Sequence, residues 1–240
     1  MPTPRTMALT SALVARVHRD VADPGHSVGL ERLAEEDYEA LVDDLLRPAH
    51  ARDGVWVFAY GSLIWKPVWP VETQRPARLR GWHRAFCLRI VRFRGTPECP
   101  GLMMGLDRGG SCRGVLQWIP GPLVRQRAGE LVRRELSVKP PTNHPRWVTV
   151  ESGGELLPAI AFAIDRKGPA YAGAHSPEEI AGILARACGH WGSGAEYLQQ
   201  TVAHLEALEI HDPYLWRLQG LVAQAIEATA SAERAVPPTR

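Results

Sequence analysis

Hydrophobic positions along the chain change their period twice. Before residue 50, Leu33, Tyr38, Leu41, Val42, Leu45 and Leu46 recur at helical spacing and predict a helix over 31–46, ended by Arg47-Pro48. Between 55 and 165, short apolar or alternating runs punctuated by Gly and Pro predict strands at 55–60, 79–91, 101–107, 113–119, 146–151 and 156–164. One helix, at 123–136, interrupts them. The last third returns to helical spacing. Ser176-Pro177-Glu178-Glu179 reads as a capping box with Pro at the first helical position. Ser193-Gly194-Ala195-Glu196 reads as a second box, which gives Glu196 a structural role. The expected fold class is α+β: a mixed sheet or small mixed β-barrel with flanking helices. The expected organisation is a helical extension at 1–50, one main domain at 51–228 and a frayed tail at 229–240, without internal repeats.

Two places break the pattern. In Val55-Trp56-Val57-Phe58-Ala59-Tyr60-Gly61-Ser62-Leu63-Ile64-Trp65, a β-prone run stops at Tyr-Gly-Ser and a second apolar cluster resumes at once. Gly61 relaxes the backbone, Ser62 adds a hydroxyl, and the N–H groups of such a turn can form an anion-binding nest. A tight turn between two core segments accounts for the pattern equally well. The other place is Glu135. In the helix at 123–136, Leu123, Val124, Ala128, Leu131, Val132 and Leu136 make one apolar stripe, and Glu135 falls near its middle. A carboxylate aimed at the interior is costly unless paired or protonated. Burial raises its pKa toward the range useful to a general acid or base. A buried salt bridge to a strand arginine, or a helix that stops one residue earlier, explains the same placement.

Composition narrows the partners. Of 240 residues, 45% are hydrophobic and 22% charged, with a net charge of +2, so no polyanion partner is implied. Seven arginines between Arg75 and Arg94 alternate with Leu79, Trp82, Phe86, Leu88, Ile90 and Phe93, the mark of a strand with a wet face rather than a nucleic-acid groove. Cys87, Cys99, Cys112 and Cys188 lack metal-site or disulfide spacing, and no H-E-x-x-H accompanies the nine histidines. No run is long enough to span a membrane, and the start is read as an ordinary helix rather than a targeting peptide. The expected setting is therefore cytoplasmic and reducing, with a small-molecule partner, no metal and no cofactor. Nothing in the pattern specifies an oligomeric state.

Several separated motifs together resemble the ChaC family, the γ-glutamylcyclotransferases that act on glutathione. They are Val57–Pro67 (VFAYGSLIWKP), Arg94-Gly95-Thr96-Pro97-Glu98-Cys99-Pro100-Gly101, Gly109–Val115 (GGSCRGV), Arg134-Glu135, Pro145-Arg146-Trp147-Val148, Tyr171-Ala172-Gly173, and Gly189 through Gly192 to Glu196-Tyr197-Leu198. The resemblance implies the small mixed β-barrel of the cyclotransferase fold and a lyase that releases 5-oxoproline. It implies a substrate loop formed by Val57, Phe58, Ala59, Tyr60, Gly61, Ser62 and Leu63, with Glu135 as the proton-transfer residue. Tyr171 is a weaker candidate for closing the pocket, and Arg94 either complements substrate charge or shapes a turn. Glutathione is the implied substrate; other γ-glutamyl amines or peptides, or a non-catalytic γ-glutamyl-binding regulator, are the alternatives. The chain departs from the family pattern at Ala59 and Gly194, where Gly and often Asn are usual. It also departs in the loop 137–144, which follows the glutamate and should border the site.

Overall fold

The apolar run ending at Ala59 becomes the strand on which the central sheet closes. The computed structural model describes residues 5–25, 31–48, 51 and 53–235. In chain order the elements are α1 (Ser11–Val17), β1 (Glu31–Arg32), α2 (Glu35–Leu45), β2 (Gly54–Ala59), β3 (Gln74–Ile90), β4 (Gly101–Pro120), α3 (Val124–Glu135), β5 (Val138–Lys139), β6 (Asn143–Ser152), β7 (Glu155–Ile164), α4 (Pro177–Leu184), β8 (Cys188–Gly189), β9 (Gly192–Ser193), α5 (Gly194–Ala207) and α6 (Pro213–Ala235). Short 3₁₀ turns lie at Ser62–Ile64 and Gly121–Leu123.

Strands β2, β4, β3, β6 and β7 form a closed barrel in that order. β2 runs antiparallel to β4, with Ala59 opposite Val115, and parallel to β7, with Trp56 opposite Ala159 and Val57 opposite Ile160. Pairing on both sides removes the edge that an open sheet would expose. Val57, Ala59, Leu106, Leu116, Val150, Ala159 and Ala161 are fully buried in this part of the chain.

Two glycine-containing segments behave differently from the strand pattern. The Gly109-Gly110-Ser111 segment was expected to separate two strands; instead β4 runs through it, with Gly109 at φ +106° and Gly110 at φ +68°. Glycine accepts these angles, so the strand bends without ending. In β3, Gly81 sits at φ +79°. Before it the buried positions are Ala77 and Leu79; after it they are Arg84, Phe86, Cys87 and Leu88. The first buried positions thus pass from odd numbers before Gly81 to even numbers, Arg84 and Phe86, after it, and an arginine is carried inside.

The chain divides into two compact units. One comprises Ser27–Leu88 and Met104–Gly173; it holds most of the barrel, and α2 packs on α3 there. The other comprises Met1–His26, Arg89–Met103 and Ala174–Arg240, and in it α1 packs on α5 and α6. Within residues 1–50, β1 and α2 fall in the first unit and α1 in the second. Helix α6 continues to Ala235 through residues expected as tail, and 236–240 lie outside the described residues.

The Ser176 box forms as expected: Ser176 Oγ accepts from the Glu179 N–H and the Glu179 carboxylate accepts from the Ser176 N–H. The Ser193 box is only half made. Ser193 Oγ caps the Glu196 N–H, but the Glu196 carboxylate accepts from Arg94 Nη1 at 2.6 Å. Arg94 also donates to the Ser193 carbonyl at 2.7 Å and lies over the Tyr197 ring. That buried arginine is a structural tie within its unit. All four cysteines are free thiols. No helix among the described residues is long and apolar enough to cross a membrane.

Candidate active site

Glu135 is the last residue of α3, and Leu136 leaves the helix at φ −128°, ψ 131°. Val124, Ala128, Leu131 and Val132 on the same helix are buried, and only 18% of the Glu135 side chain is exposed. Burial raises its pKa, and the neighbouring Arg134 guanidinium, with Nε 3.7 Å from Glu135 Oε1, pulls the other way without cancelling the rise. The negative end of the helix dipole also disfavours the anion. The carboxylate is thus largely buried at a helix end, and among the described residues its ion-pair partner is the adjacent Arg134 rather than a strand arginine.

The turn after β2 is asymmetric in its hydrogen bonding. Its carbonyls are occupied: Tyr60 by Arg84 Nε (2.6 Å), Gly61 by the Ile64 N–H (2.9 Å), Ser62 by the Trp65 and Lys66 N–H groups (3.2 and 2.7 Å), and Leu63 by Gln117 Nε2 (3.0 Å). The Lys66 carbonyl accepts from Arg134. The N–H groups of Gly61, Ser62 and Leu63, in contrast, find no acceptor among the described residues. The first N–H groups of a helical turn have no partner within the turn. With the carbonyls tied back, such a turn offers donors to an incoming anion or carbonyl oxygen.

The residues expected to hold substrate divide into distinct roles. Val57, Phe58 and Ala59 are buried in β2, and their backbone is paired with β4. Gly114 on β4 makes the close approach beside Ala59: a Cβ there would collide with the Ala59 carbonyl oxygen. The Tyr60 hydroxyl donates to the Phe162 carbonyl at 2.8 Å, so it anchors the turn to β7. Gly61, Ser62 and Leu63 remain as the residues with open N–H groups. The Tyr171 hydroxyl donates to Asp107 Oδ2 at 3.3 Å, and Asp107 is held by Arg166 Nε at 2.6 Å. Tyr171 is thereby tied to a carboxylate–arginine pair, while its backbone bridges Leu88.

Three residues that hold the turn were not expected: Arg84, Gln117 and Arg134. Arg84 is 4% exposed and also donates to the Arg113 carbonyl; Gln117 is 1% exposed. The signal that marks Glu135 marks the first two as well. Arg84 shares a strand face with Phe86 and Leu88, and Gln117 shares one with Val115 and Ile119. Arg134 joins this set at the end of α3, where Nη2 lies 3.3 Å from Ser62 Oγ. It ties the helix end bearing Glu135 to the donor-rich turn.

A profile of the ChaC-like protein family matches residues 55–225. The chain belongs to this family. It is 35% identical over 159 residues to the glutathione-specific γ-glutamylcyclotransferase of Escherichia coli (strain K12), an alignment covering 66% of this chain and 68% of that protein. It is 32% identical over 152 residues to the mouse glutathione-specific γ-glutamylcyclotransferase 1, covering 60% of this chain and 66% of the mouse protein. The chain thus spans about two thirds of the length of these curated relatives. The crystal structure of a yeast γ-glutamylcyclotransferase specific to glutathione superposes with a TM-score of 0.65 at 22% identity, covering 72% of this chain and 97% of that one. The ChaC-like chain therefore shares the cyclotransferase fold. Among its described residues no group of three or more His, Cys, Asp or Glu is arranged to hold a metal ion.

Proposed function

We propose that this ChaC-like protein is a glutathione-specific γ-glutamylcyclotransferase, a lyase that converts glutathione to 5-oxoproline and Cys-Gly in the cytoplasm. The observation that carries the reading is the asymmetric turn, joined through Arg134 to the helix end bearing a buried carboxylate of raised pKa.

In this chemistry the α-amine of the substrate attacks its own γ-carbonyl carbon. Because the nucleophile is intramolecular, the protein's first task is to hold a ring-forming conformation. The open N–H groups of Gly61, Ser62 and Leu63 bind the α-carboxylate, the developing oxyanion, or both. Glu135 in its ionised form accepts a proton from the substrate ammonium, which frees the amine lone pair. As the new C–N bond forms, the attacking nitrogen sheds a second proton. As the amide bond breaks, the departing nitrogen gains two protons and leaves as the ammonium of Cys-Gly. The exchange is proton-neutral, so one carboxylate shuttling between the two nitrogens suffices. General acid–base catalysis of this kind contributes about 10²–10⁴-fold.

The test is to incubate the purified protein with glutathione and quantify 5-oxoproline and Cys-Gly, with Glu135→Gln alongside. Turnover that is lost in the variant supports the reading. Turnover of other γ-glutamyl compounds but not of glutathione reassigns the substrate. Binding without turnover makes the protein a γ-glutamyl-responsive regulator.

A further inference from the structure

We propose that Arg134 is a positioning residue whose guanidinium joins the substrate-holding turn to the proton-transfer carboxylate and fixes the direction of the Ser62 hydroxyl. The inference rests on the reading of Glu135 given above. Three contacts carry it: Nη2 reaches Ser62 Oγ at 3.3 Å, Nη1 donates to the Lys66 carbonyl, and Nε lies 3.7 Å from Glu135 Oε1. A guanidinium has donors and no acceptor. Ser62 Oγ must therefore accept from Arg134, and the hydrogen of the hydroxyl is left to point away from it. Ser62 becomes a donor beside the open N–H groups of the turn, directed at the oxygen of an incoming acyl or carboxylate group.

The neighbouring charges are engaged elsewhere. Arg133 pairs with Glu35 and Glu39 of α2, and Lys139, on β5 just after α3, pairs with Glu31 and Asp37. The Tyr38 hydroxyl of α2 donates to the Leu136 carbonyl at 3.0 Å and steadies the same helix end. Arg134 is the charged side chain whose field reaches Glu135. Only a planar fork serves the Ser62 hydroxyl and the Lys66 carbonyl from one group; the compact ammonium of lysine does not.

The test compares Arg134→Gln, Arg134→Lys, Ser62→Ala and the double variant Ser62→Ala/Arg134→Gln, with Glu135→Gln as reference. Misplacing catalytic groups by about 1 Å can lower rate about 10²-fold. Arg134→Gln is accordingly expected to lose about 10²-fold in kcat, with KM within a few-fold of the parent. Arg134→Lys is expected to restore little of it. The double variant should be no slower than Arg134→Gln alone, because the two residues act as one unit. If Arg134→Gln does not fold, Ser62→Ala, which deletes only a hydroxyl, must still lower kcat by about tenfold with unchanged melting. The proposal is overturned if Arg134→Gln or Arg134→Lys turns over like the parent while Glu135→Gln is inactive, or if the losses of Ser62→Ala and Arg134→Gln multiply. Full turnover by Glu135→Gln removes the reading beneath it and is distinguishable from both.

Discussion

Glu135→Gln should move activity and stability in opposite directions. Glutamine nearly preserves the shape of the side chain but neither accepts nor returns a proton, so turnover should fall by about 10²–10⁴-fold, equivalent to about 3–5 kcal/mol of activation free energy. Stability follows from linkage. Across 3.7 Å the attraction of Arg134 for the carboxylate is about 1 kcal/mol at the dielectric constant of water and about 4 kcal/mol at an effective value of 20. The pKa nevertheless rises, so desolvation exceeds this attraction. A carboxyl whose folded pKa lies above its unfolded value, about 4.3 for glutamate, binds its proton more tightly in the folded state. It therefore destabilises the fold progressively as pH climbs from that value through the raised folded one. The cost is about 1.4 kcal/mol for each pH unit by which the folded carboxyl is lifted. Denaturant unfolding of both proteins at pH 7.5 and pH 4 reads the effect directly. The glutamine variant should be the more stable at pH 7.5, with the gap closing toward pH 4. A variant less stable at pH 7.5 but matched at pH 4 would mean that Arg134 outweighs burial, and the basis for a proton-transfer carboxylate would be gone.

Other substitutions probe the supports of the site. Arg84→Met removes charged donors from the Tyr60 and Arg113 carbonyls and should cost about 2–4 kcal/mol in urea unfolding, with turnover reduced in whatever fraction folds. Gly114→Ala drives a Cβ into the Ala59 carbonyl oxygen, so β2 and β4 must separate locally; a fall of several degrees in Tm together with lost activity is expected, and a neutral result would refute the tight register. Burial pushes the Asp107 carboxyl up, but Arg166, the Arg108 N–H and Tyr171 together hold it below its ordinary value. Its contribution is thus present above about pH 3.9 and lost as pH falls through the lowered folded pKa. Asp107→Asn should accordingly unfold about 1–3 kcal/mol more easily at pH 7, with the difference from the parent shrinking on acidification.

The barrel strands and the helix bearing Glu135 were legible because period carries the information. Alternation marks β6 and β7, and a 3.6-residue stripe marks α3 and the carboxylate lying on it. What misled the reading were glycines. Gly109 and Gly110 look like a strand break and Gly81 like an ordinary strand position. A positive φ can end a strand, bend it or shift its phase, and the choice depends on whether partner strands continue past it. The same phase shift put Arg84 inside, within a run that reads as a wet, arginine-rich face. At Glu196 the sequence shows the Ser193 cap but not the partner of the carboxylate, because a capping box is local while the Arg94 guanidinium arrives from 102 residues away.

By itself the sequence determined the periodic cores of the barrel strands and of the helix that places Glu135 on its apolar face. It also determined that a strand ends in Tyr60-Gly61-Ser62 and, through its motifs, that the chain resembles the ChaC family. These are consequences of local period, local turn chemistry and residue order. Only the tertiary structure decided that the N–H groups of Gly61, Ser62 and Leu63 stay open. That outcome requires Arg84, Gln117 and Arg134, from β3, β4 and α3, to occupy the carbonyls and the serine oxygen of one turn. Local hydrogen bonds within 62–66 are written in the chain's own geometry. Donors 24, 54 and 68 residues away become neighbours only when the barrel closes.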